Sequence, residues 1–334
     1  MTIDLDHCLE PEMILSERPR FNFDVVRGPA VQRHKDRLSS ATLMTLAQAS
    51  VRVAREQKLS TAVDFWGKSL RGPIAIATWI DFISAHHQAA GAPPPNTRVL
   101  RKPQRNYGRI GRTVWQRVDA LINHYRYSAT HLPAAIHRDL LRGDQIHLAK
   151  IEARGSRFDL WLASSLASGQ KHEAELTVLM TDGDGVVLTR MGFSFGWDDD
   201  GAPTASIGGV QGLDSGIDKR VIVKATRALS GLRPKDAVLV SVQAIAKAAR
   251  TQRLRGVSNA NHVLAAEWFA SDSVILRDYD AFWIERGGKA DPSGGYVLPL
   301  RDYQARLKSV QTPRLIDLHR AALSEQVQAK IASG

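Results

Sequence analysis

The spacing of apolar residues divides the chain into a helical first part and a strand-rich second part. From Ala41 to Gln57 apolar side chains recur every three or four residues, which predicts a helix. Val63 to His87 is a second helical region, in which Pro73 is expected to break the helix or to start a turn. The run GAPPPN at 91–96 is a stiff linker, because consecutive prolines favour extended backbone. The pattern predicts a helical N-terminal layer ending near residue 96.

The apolar period changes from helical to strand-like at His147. A helix from Arg112 to Tyr127 precedes the change. Short alternating runs then follow, and Asp182-Gly183-Asp184-Gly185 is a strong hairpin signal between two of them. These runs predict an antiparallel meander.

Helices and strands alternate after the meander. The predicted elements are a strand ending in IGGVQG, a helix from Asp218 to Ser230, a helix that starts at LRPK, a strand RLRGV, a helix ending YDAFWIERGGK, a last strand from Gly295 to Leu300, and a C-terminal helix from Arg314 to Ile331. The fold class is therefore α+β: a helical N-terminal layer is followed by a mixed, largely antiparallel sheet flanked by helices.

The stretch from Ser206 to Val263 is the candidate ligand-binding part of this order. Gly208, Gly209 and Gly212 allow a close approach of the backbone to a ligand or to a neighbouring element. The second helix after this glycine turn begins at Arg233-Pro234-Lys235. Free N–H groups, the positive end of a helix dipole and two cations therefore meet there. This arrangement predicts an anion site. The alternative is that the glycines serve packing and that the two cations are solvated.

Several ordered segments resemble the VirK/YbjX family of bacterial proteins. They are IGGVQG, KATRALSGLRPK, GVSNANHV, YDAFWIERGGK, LINHYRY and KHEAELTVLM, and together they span roughly Gly111 to Leu300. The resemblance implies a link to bacterial virulence, envelope integrity and antimicrobial-peptide resistance. It does not imply a defined reaction.

The order of elements also resembles the GNAT acyltransferase fold, in which the glycine turn holds the pyrophosphate of an acyl-coenzyme A. The helix from Asp218 to Ser230 departs from that fold, because it separates the turn from the next helix. The resemblance implies an acyl-coenzyme A or another acyl-carrier donor. Its binding residues would be Gly208, Gly209, Gln211, Gly212, Arg233, Lys235, Ser258 and Asn259.

Charge biases the protein towards anionic partners. The 334 residues carry a formal net charge of +11, and 43% of them are hydrophobic, as in a globular protein. The single Cys8 excludes an internal disulfide framework and a cysteine-based zinc site. The start of the chain lacks the features of a signal peptide, and no apolar run has the length of a membrane span. We therefore expect a cytoplasmic protein, with peripheral contact to the inner membrane as an alternative.

The positive charge is densest just after the proline linker. This stretch predicts contact with an anionic membrane surface through Arg98, Arg101, Lys102, Arg105, Arg109 and Arg112. The alternative is a solvated strip beside an ordinary amphipathic helix. No motif typical of specific nucleic-acid recognition accompanies the charge.

Candidate acid and base groups lie near strand ends. Glu173 and Glu175 fall on one face at the start of a strand, His262 follows a strand end, and Tyr279 begins a helix. We select Glu175, His262 and Tyr279 as catalytic candidates; the alternatives are a solvated strand edge, a capping histidine and a core tyrosine. The histidines lack the spacing of a metal site, and no G-x-S-x-G motif occurs.

Three segments and two function classes follow from these features. The segments are an N-terminal arm and helical region (1–96), a basic helical segment packing on the sheet (97–146), and a GNAT-like domain with a C-terminal helix (147–334). One hypothesis is an acyl or aminoacyl transferase with a small-molecule or carrier-linked donor and an envelope-related acceptor. The other is a non-catalytic peripheral module that binds anionic envelope components or regulates the placement of surface proteins.

Overall fold

The fold was examined in a computed structural model that describes residues 38–214, 216–265, 278–292 and 294–334. The predicted N-terminal arm and Cys8 lie outside these residues. None of the described helices has the length and apolar character needed to cross a membrane.

The N-terminal layer is helical, as the periodicity predicts. Its helices are α1 (Ser40–Glu56), α2 (Leu59–Ser69), α3 (Pro73–Ala89) and the short α4 (Thr97–Leu100). Pro73 is the first residue of α3, where its missing N–H costs no intrahelical hydrogen bond. Leu46, Phe65 and Trp79 are fully buried and belong to one apolar core of this layer.

Helix α5 (Val114–His131) joins the layer to the sheet. A capping box begins it: the Thr113 hydroxyl accepts from the Gln116 N–H, and the Gln116 side chain accepts from the Thr113 N–H. Leu121 packs in the core of the helical layer, whereas Tyr127 packs in the core of the sheet. Helix α6 (Ala134–Arg142) follows.

Eight described strands form one mixed sheet in the order β1-β2-β3-β4-β5-β6-β8-β7. They are β1 (Ile146–Ala153), β2 (Ser156–Ser164), β3 (Leu176–Asp182), β4 (Val187–Trp197), β5 (Pro203–Gln211), β6 (Arg253–Gly256), β7 (Lys289–Ala290) and β8 (Tyr296–Leu298). Strands β1 to β4 are the predicted antiparallel meander, and β5 extends it by pairing antiparallel with β4. The last predicted strand is shorter than expected, and the sequence pattern did not predict β7.

The parallel neighbours β5 and β6 are joined by a crossover that carries α7 (Arg220–Ala228) and α8 (Pro234–Ala248). The remaining helices are α9 (Tyr279–Glu285), α10 (Tyr303–Lys308) and α11 (Leu315–Ser333). Helix α8 is buried almost continuously from Ala237 to Ala246, because it lies against β3, β4 and α11. The α+β class with a helical N-terminal region is confirmed.

Candidate functional site

Strands β5 and β6 pair at first and then diverge. Their parallel register runs from Thr204 opposite Arg253 to Ile207 opposite Gly256, and the Val257 N–H donates the last bond to the Ile207 carbonyl at 3.0 Å. Beyond Ile207 strand β5 remains paired with β4 alone. A gap between two parallel strands at their carboxyl ends is a common place for a ligand in sheets with helical crossovers.

A bulge in β5 lies at the start of this gap. Gly192 of β4 pairs with Gly209, and the next β4 residue pairs with Ile207, so Gly208 is the additional residue. A Cβ on Gly208 would lie 1.9 Å from the main-chain oxygen of Glu173. A Cβ on Gly209 would lie 2.9 Å from Cγ of the same glutamate. These two glycines therefore permit the close approach of a neighbouring loop, which is one of the two roles predicted for them.

Tyr279 and His262 occupy the gap beside the bulge. The Tyr279 hydroxyl donates to the Val210 carbonyl at 3.2 Å and accepts from the Val210 N–H at 3.3 Å. His262 Nε2 lies 3.4 Å from that hydroxyl, and the two buried rings are stacked. Because His262 Nδ1 accepts from the Leu264 N–H at 3.2 Å, a neutral ring carries its proton on Nε2, towards the tyrosine.

A buried glutamate borders the same gap. Glu173 Oε1 accepts a hydrogen bond of 3.1 Å from the Gln211 side chain, at the end of β5. Glu173 and Gly208 also line a cavity of about 200 Å³ over β4, β5 and β6. The catalytic candidate predicted from the sequence is Glu175, whereas the glutamate at the gap is Glu173. The sequence signal for Glu173 is its place three residues before β3 and on the same strand face as Glu175.

Glu175 lies in a different buried cluster. Its carboxylate forms an ion pair of 2.5 Å with Lys102 Nζ and accepts a hydrogen bond of 2.8 Å from the Tyr125 hydroxyl. All three side chains are buried, and burial followed by the Glu175 charge raises the pKa of Tyr125 well above its usual value. The structure does not join Glu175 to His262 or Tyr279 by a hydrogen bond. The carboxylate instead links the basic segment to the sheet.

The Glu175 cluster borders a cavity of about 360 Å³ between the helical layer and the sheet. His124 and His137 line it, and His137 Nε2 lies 2.8 Å from His86 Nε2. Burial, reinforced by neighbouring positive groups, lowers the pKa of His86 to about 4 and that of His137 to about 3. These rings are therefore neutral at physiological pH. No group of three or more metal-ligating side chains is found among the residues described.

Ser258 and Asn259 contact protein groups rather than open space. The Asn259 side chain accepts from the Tyr279 N–H at 2.8 Å and donates to Asp278 at 3.0 Å. Its N–H donates to Asp280 at 2.9 Å. Ser258 Oγ accepts from the nearby Asn261 side chain. Asn259 thus connects the segment after β6 to the start of α9 by hydrogen bonds, and these bonds position Tyr279.

Three of the residues predicted to bind the donor's phosphates meet in one cavity, whereas Gly209 and Gln211 do not line it. Gly212, Arg233 and Lys235 line a space of about 610 Å³ at the start of α8, together with apolar side chains of α7 and α9. No side chain caps α8, and Arg233 forms an exposed ion pair of 3.0 Å with Glu285. Lys235 Nζ lies 5.8 Å from the centre of the Phe282 ring. The cavity combines an apolar wall with a cationic rim, which suits an anionic molecule that has an apolar portion.

Comparison with known proteins gives one family. Residues 54–333 match the family described as "Protein of unknown function (DUF535)". The chain belongs to the DUF535 family. It is also 26% identical over 250 residues to the "Uncharacterized protein YbjX" of Escherichia coli (strain K12), over 72% of this chain and 75% of that protein. The predicted VirK/YbjX resemblance is confirmed, and no solved structure matches.

The DUF535 match includes the basic stretch after the proline linker, and the fold distributes that stretch over several sites. Lys102 is buried against Glu175, and Arg101 contacts Asp64 at 3.2 Å. Arg112 reaches the Tyr107 carbonyl, and burial lowers its pKa. The remaining members border three separate cavities; they are Arg98, Arg105 and Arg109. The predicted membrane contact through all six stays a prediction.

Proposed function

We propose that this DUF535 protein is an acyl or aminoacyl transferase of GNAT type, acting in the cytoplasm or at the inner membrane surface. The observation that carries the proposal is the divergence of β5 and β6 around the Tyr279 hydroxyl. The strand order, with one parallel pair and a helical crossover, supports the GNAT-like arrangement. Helix α7 remains the departure from that arrangement.

The donor site would combine the gap with the cavity at the start of α8. Acyl-coenzyme A and carrier-linked donors contain amide groups, which can bond a strand edge as an added strand does. Since the Tyr279 hydroxyl bonds the Val210 N–H and carbonyl, these amides would bond the edge of β5 beyond Val210. Their phosphates would meet the start of α8, where Arg233 offers a bidentate fork and Lys235 a point charge. The apolar wall of the same cavity would cover apolar parts of the donor.

The reaction would need two proton transfers, one from the acceptor nucleophile and one to the leaving thiolate. An acceptor nucleophile attacks the thioester carbonyl; Glu173 takes its proton, and the acyl–sulfur bond breaks as the new acyl bond forms. The leaving thiolate takes the Tyr279 proton, and the neutral His262 stabilises the resulting phenolate through its Nε2–H. After product release, solvent returns a proton to Tyr279 and removes the proton from Glu173. Glu173 borders the cavity on the acceptor side, and the two rings are already in contact. Glu175 would keep a structural role, since Lys102 and Tyr125 bind its carboxylate.

Release of free thiol from acyl-coenzyme A and from carrier-linked donors tests this function. Tyr279→Phe should lower kcat by about 10²-fold or more, the usual contribution of a general acid. Tyr127→Phe is a matched control, because this hydroxyl also donates to a buried carbonyl, at 2.8 Å from the Ala249 oxygen. Equal activity of the two variants, both folded, contradicts the proposal, and so does the absence of turnover and binding with every donor.

The alternative is a non-catalytic module at an anionic envelope surface. The observation that favours it is the apolar exposure of α1 and α2: Met44 is 60% exposed, Leu59 73% and Val63 66%. Arg55 and Lys58 are exposed nearby, as in an interfacial surface. Flotation with vesicles with and without anionic lipid, at low and moderate salt, tests it. Failure to float under every condition removes this alternative.

A further inference from the structure

A fourth cavity, of about 340 Å³, lies where α2, the basic segment and the start of α5 meet. Lys68, Arg71, Arg105 and Arg117 line it, and among the described residues no carboxylate does. Four cations around one space repel each other unless an anion neutralises them. The cavity is separate from the gap between β5 and β6, and the proposed transfer reaction does not use it.

Within the part of the chain that the structure describes, most of this positive charge has no acidic partner. Lys68 pairs with Asp64 at 2.8 Å, but within the described ranges Arg71, Arg105 and Arg117 form no ion pair. Arg71 and Arg105 are exposed, so their guanidinium groups are accessible to a ligand. Burial and then the charges of Lys171, Arg105 and Lys102 lower the pKa of His172, which also lines the cavity, to about 4.

Two of the residues that line the cavity each have a buried polar atom without a hydrogen-bond partner in the described part of the chain. These atoms are Arg117 Nε, a donor, and Gln104 Oε1, an acceptor. The orientation of Gln104 is fixed, because its Nε2 donates to the Phe65 carbonyl and to Ser69 Oγ, both at 2.9 Å. Buried polar groups without partners are rare in folded proteins, and a bound molecule is one explanation. A suitable ligand offers an acceptor and a hydroxyl donor.

We propose that this cavity binds a phosphomonoester, with its phosphoryl group on Arg71, Arg105 and Arg117. A phosphomonoester carries close to two negative charges and three acceptor oxygens near neutral pH, which matches several guanidinium donors better than a carboxylate does. The organic part would carry a hydroxyl towards Gln104 and lie against Ile76 and Val114. A soluble metabolite and the headgroup of a phosphatidic acid share this chemistry.

Titration of the full-length protein with glycerol 3-phosphate and with inorganic phosphate measures the soluble form of the ligand. Vesicles of phosphatidylcholine with and without phosphatidic acid measure the lipid form. Arg71→Ala/Arg105→Ala should weaken binding at least about tenfold, since each lost charged hydrogen bond contributes roughly that much. Arg138→Ala/Arg306→Ala is the matched control, because it removes two exposed arginines elsewhere and changes the net charge equally.

The outcomes separate the sources of the ligand. Binding of glycerol 3-phosphate that is lost only in the Arg71/Arg105 variant supports a soluble ligand. Flotation that needs phosphatidic acid and is lost only in that variant supports a lipid. Absence of both, or equal losses in the two double variants, overturns the proposal. Arg117→Gln, which keeps a donor but removes the charge, should reduce binding as well; unchanged affinity in this variant also counts against the site. Acyl-donor turnover does not enter these measurements.

Discussion

Replacement of Lys102 by methionine tests whether Glu175 is a structural residue. Methionine keeps most of the apolar stem of the lysine but removes the Nζ that lies 2.5 Å from the Glu175 carboxylate. The two side chains are only 4% and 2% exposed, so water cannot replace the lost cation. Breaking a buried ion pair from one side costs about 3 to 5 kcal/mol of the free energy of unfolding.

The double variant Lys102→Met/Glu175→Gln measures the pair itself. A glutamine is neutral and its carbonyl can still accept the hydrogen bond of 2.8 Å from Tyr125. We expect it to recover about 2 kcal/mol relative to Lys102→Met, because the uncompensated charge is gone. Urea unfolding of the wild type, both single variants and the double variant closes the cycle. A loss below about 1 kcal/mol for Lys102→Met, or additive single losses, would refute the reasoning.

Three further predictions concern stability and donor binding. His86 and His137 are neutral in the fold, with pKa values of about 4 and 3, whereas the ordinary histidine pKa is 6.5. Their contribution to the free energy of unfolding is therefore fully present above pH 6.5 and is lost as the pH falls below it. The free energy of unfolding should be about 2 kcal/mol lower at pH 5 than at pH 7 for one such histidine, and His137→Gln should reduce this difference. The same pH dependence in His137→Gln and the wild type would argue against the assignment. Gly208→Ala should lower the melting temperature sharply, because the new Cβ meets main chain; an unchanged melting temperature by calorimetry would contradict the bulge geometry. Arg233→Ala/Lys235→Ala should change stability by less than about 1 kcal/mol yet weaken donor binding by calorimetric titration, whereas unchanged affinity would leave both cations as solvated surface residues.

Local patterns predicted most of the elements but few of the contacts between them. The helix period and the hairpin signal were sufficient for α1, α5 and the meander, because they depend on residues close in sequence. Strand β7 has only two residues, too few for a period. Its place beyond β8 is a consequence of tertiary pairing.

The candidate site shows the same limit. His262 and Tyr279 were selected separately from their positions at element ends, and the structure brings them together. Lys102 and Glu175 are 73 residues apart in sequence, and nothing in either local pattern predicts that they pair. The basic run that contains Lys102 was predicted to form one membrane-contacting surface. The spacing of basic residues does not indicate which of their side chains become buried. Asn259 was predicted to bind a cofactor, whereas its observed contacts are with the start of α9.

Hydrogen exchange with an acyl donor analogue tests the central claim most directly, namely that the gap between β5 and β6 is the donor site. A thioether analogue of acyl-coenzyme A, or of the carrier-linked donor that supports turnover, is added to the full-length protein, and amide exchange is followed by mass spectrometry. The account predicts slower exchange in peptides covering 208–212 and the start of α8, with α2 unchanged. Saturating analogue that leaves both peptides unprotected, or protects only a distant element, would contradict it.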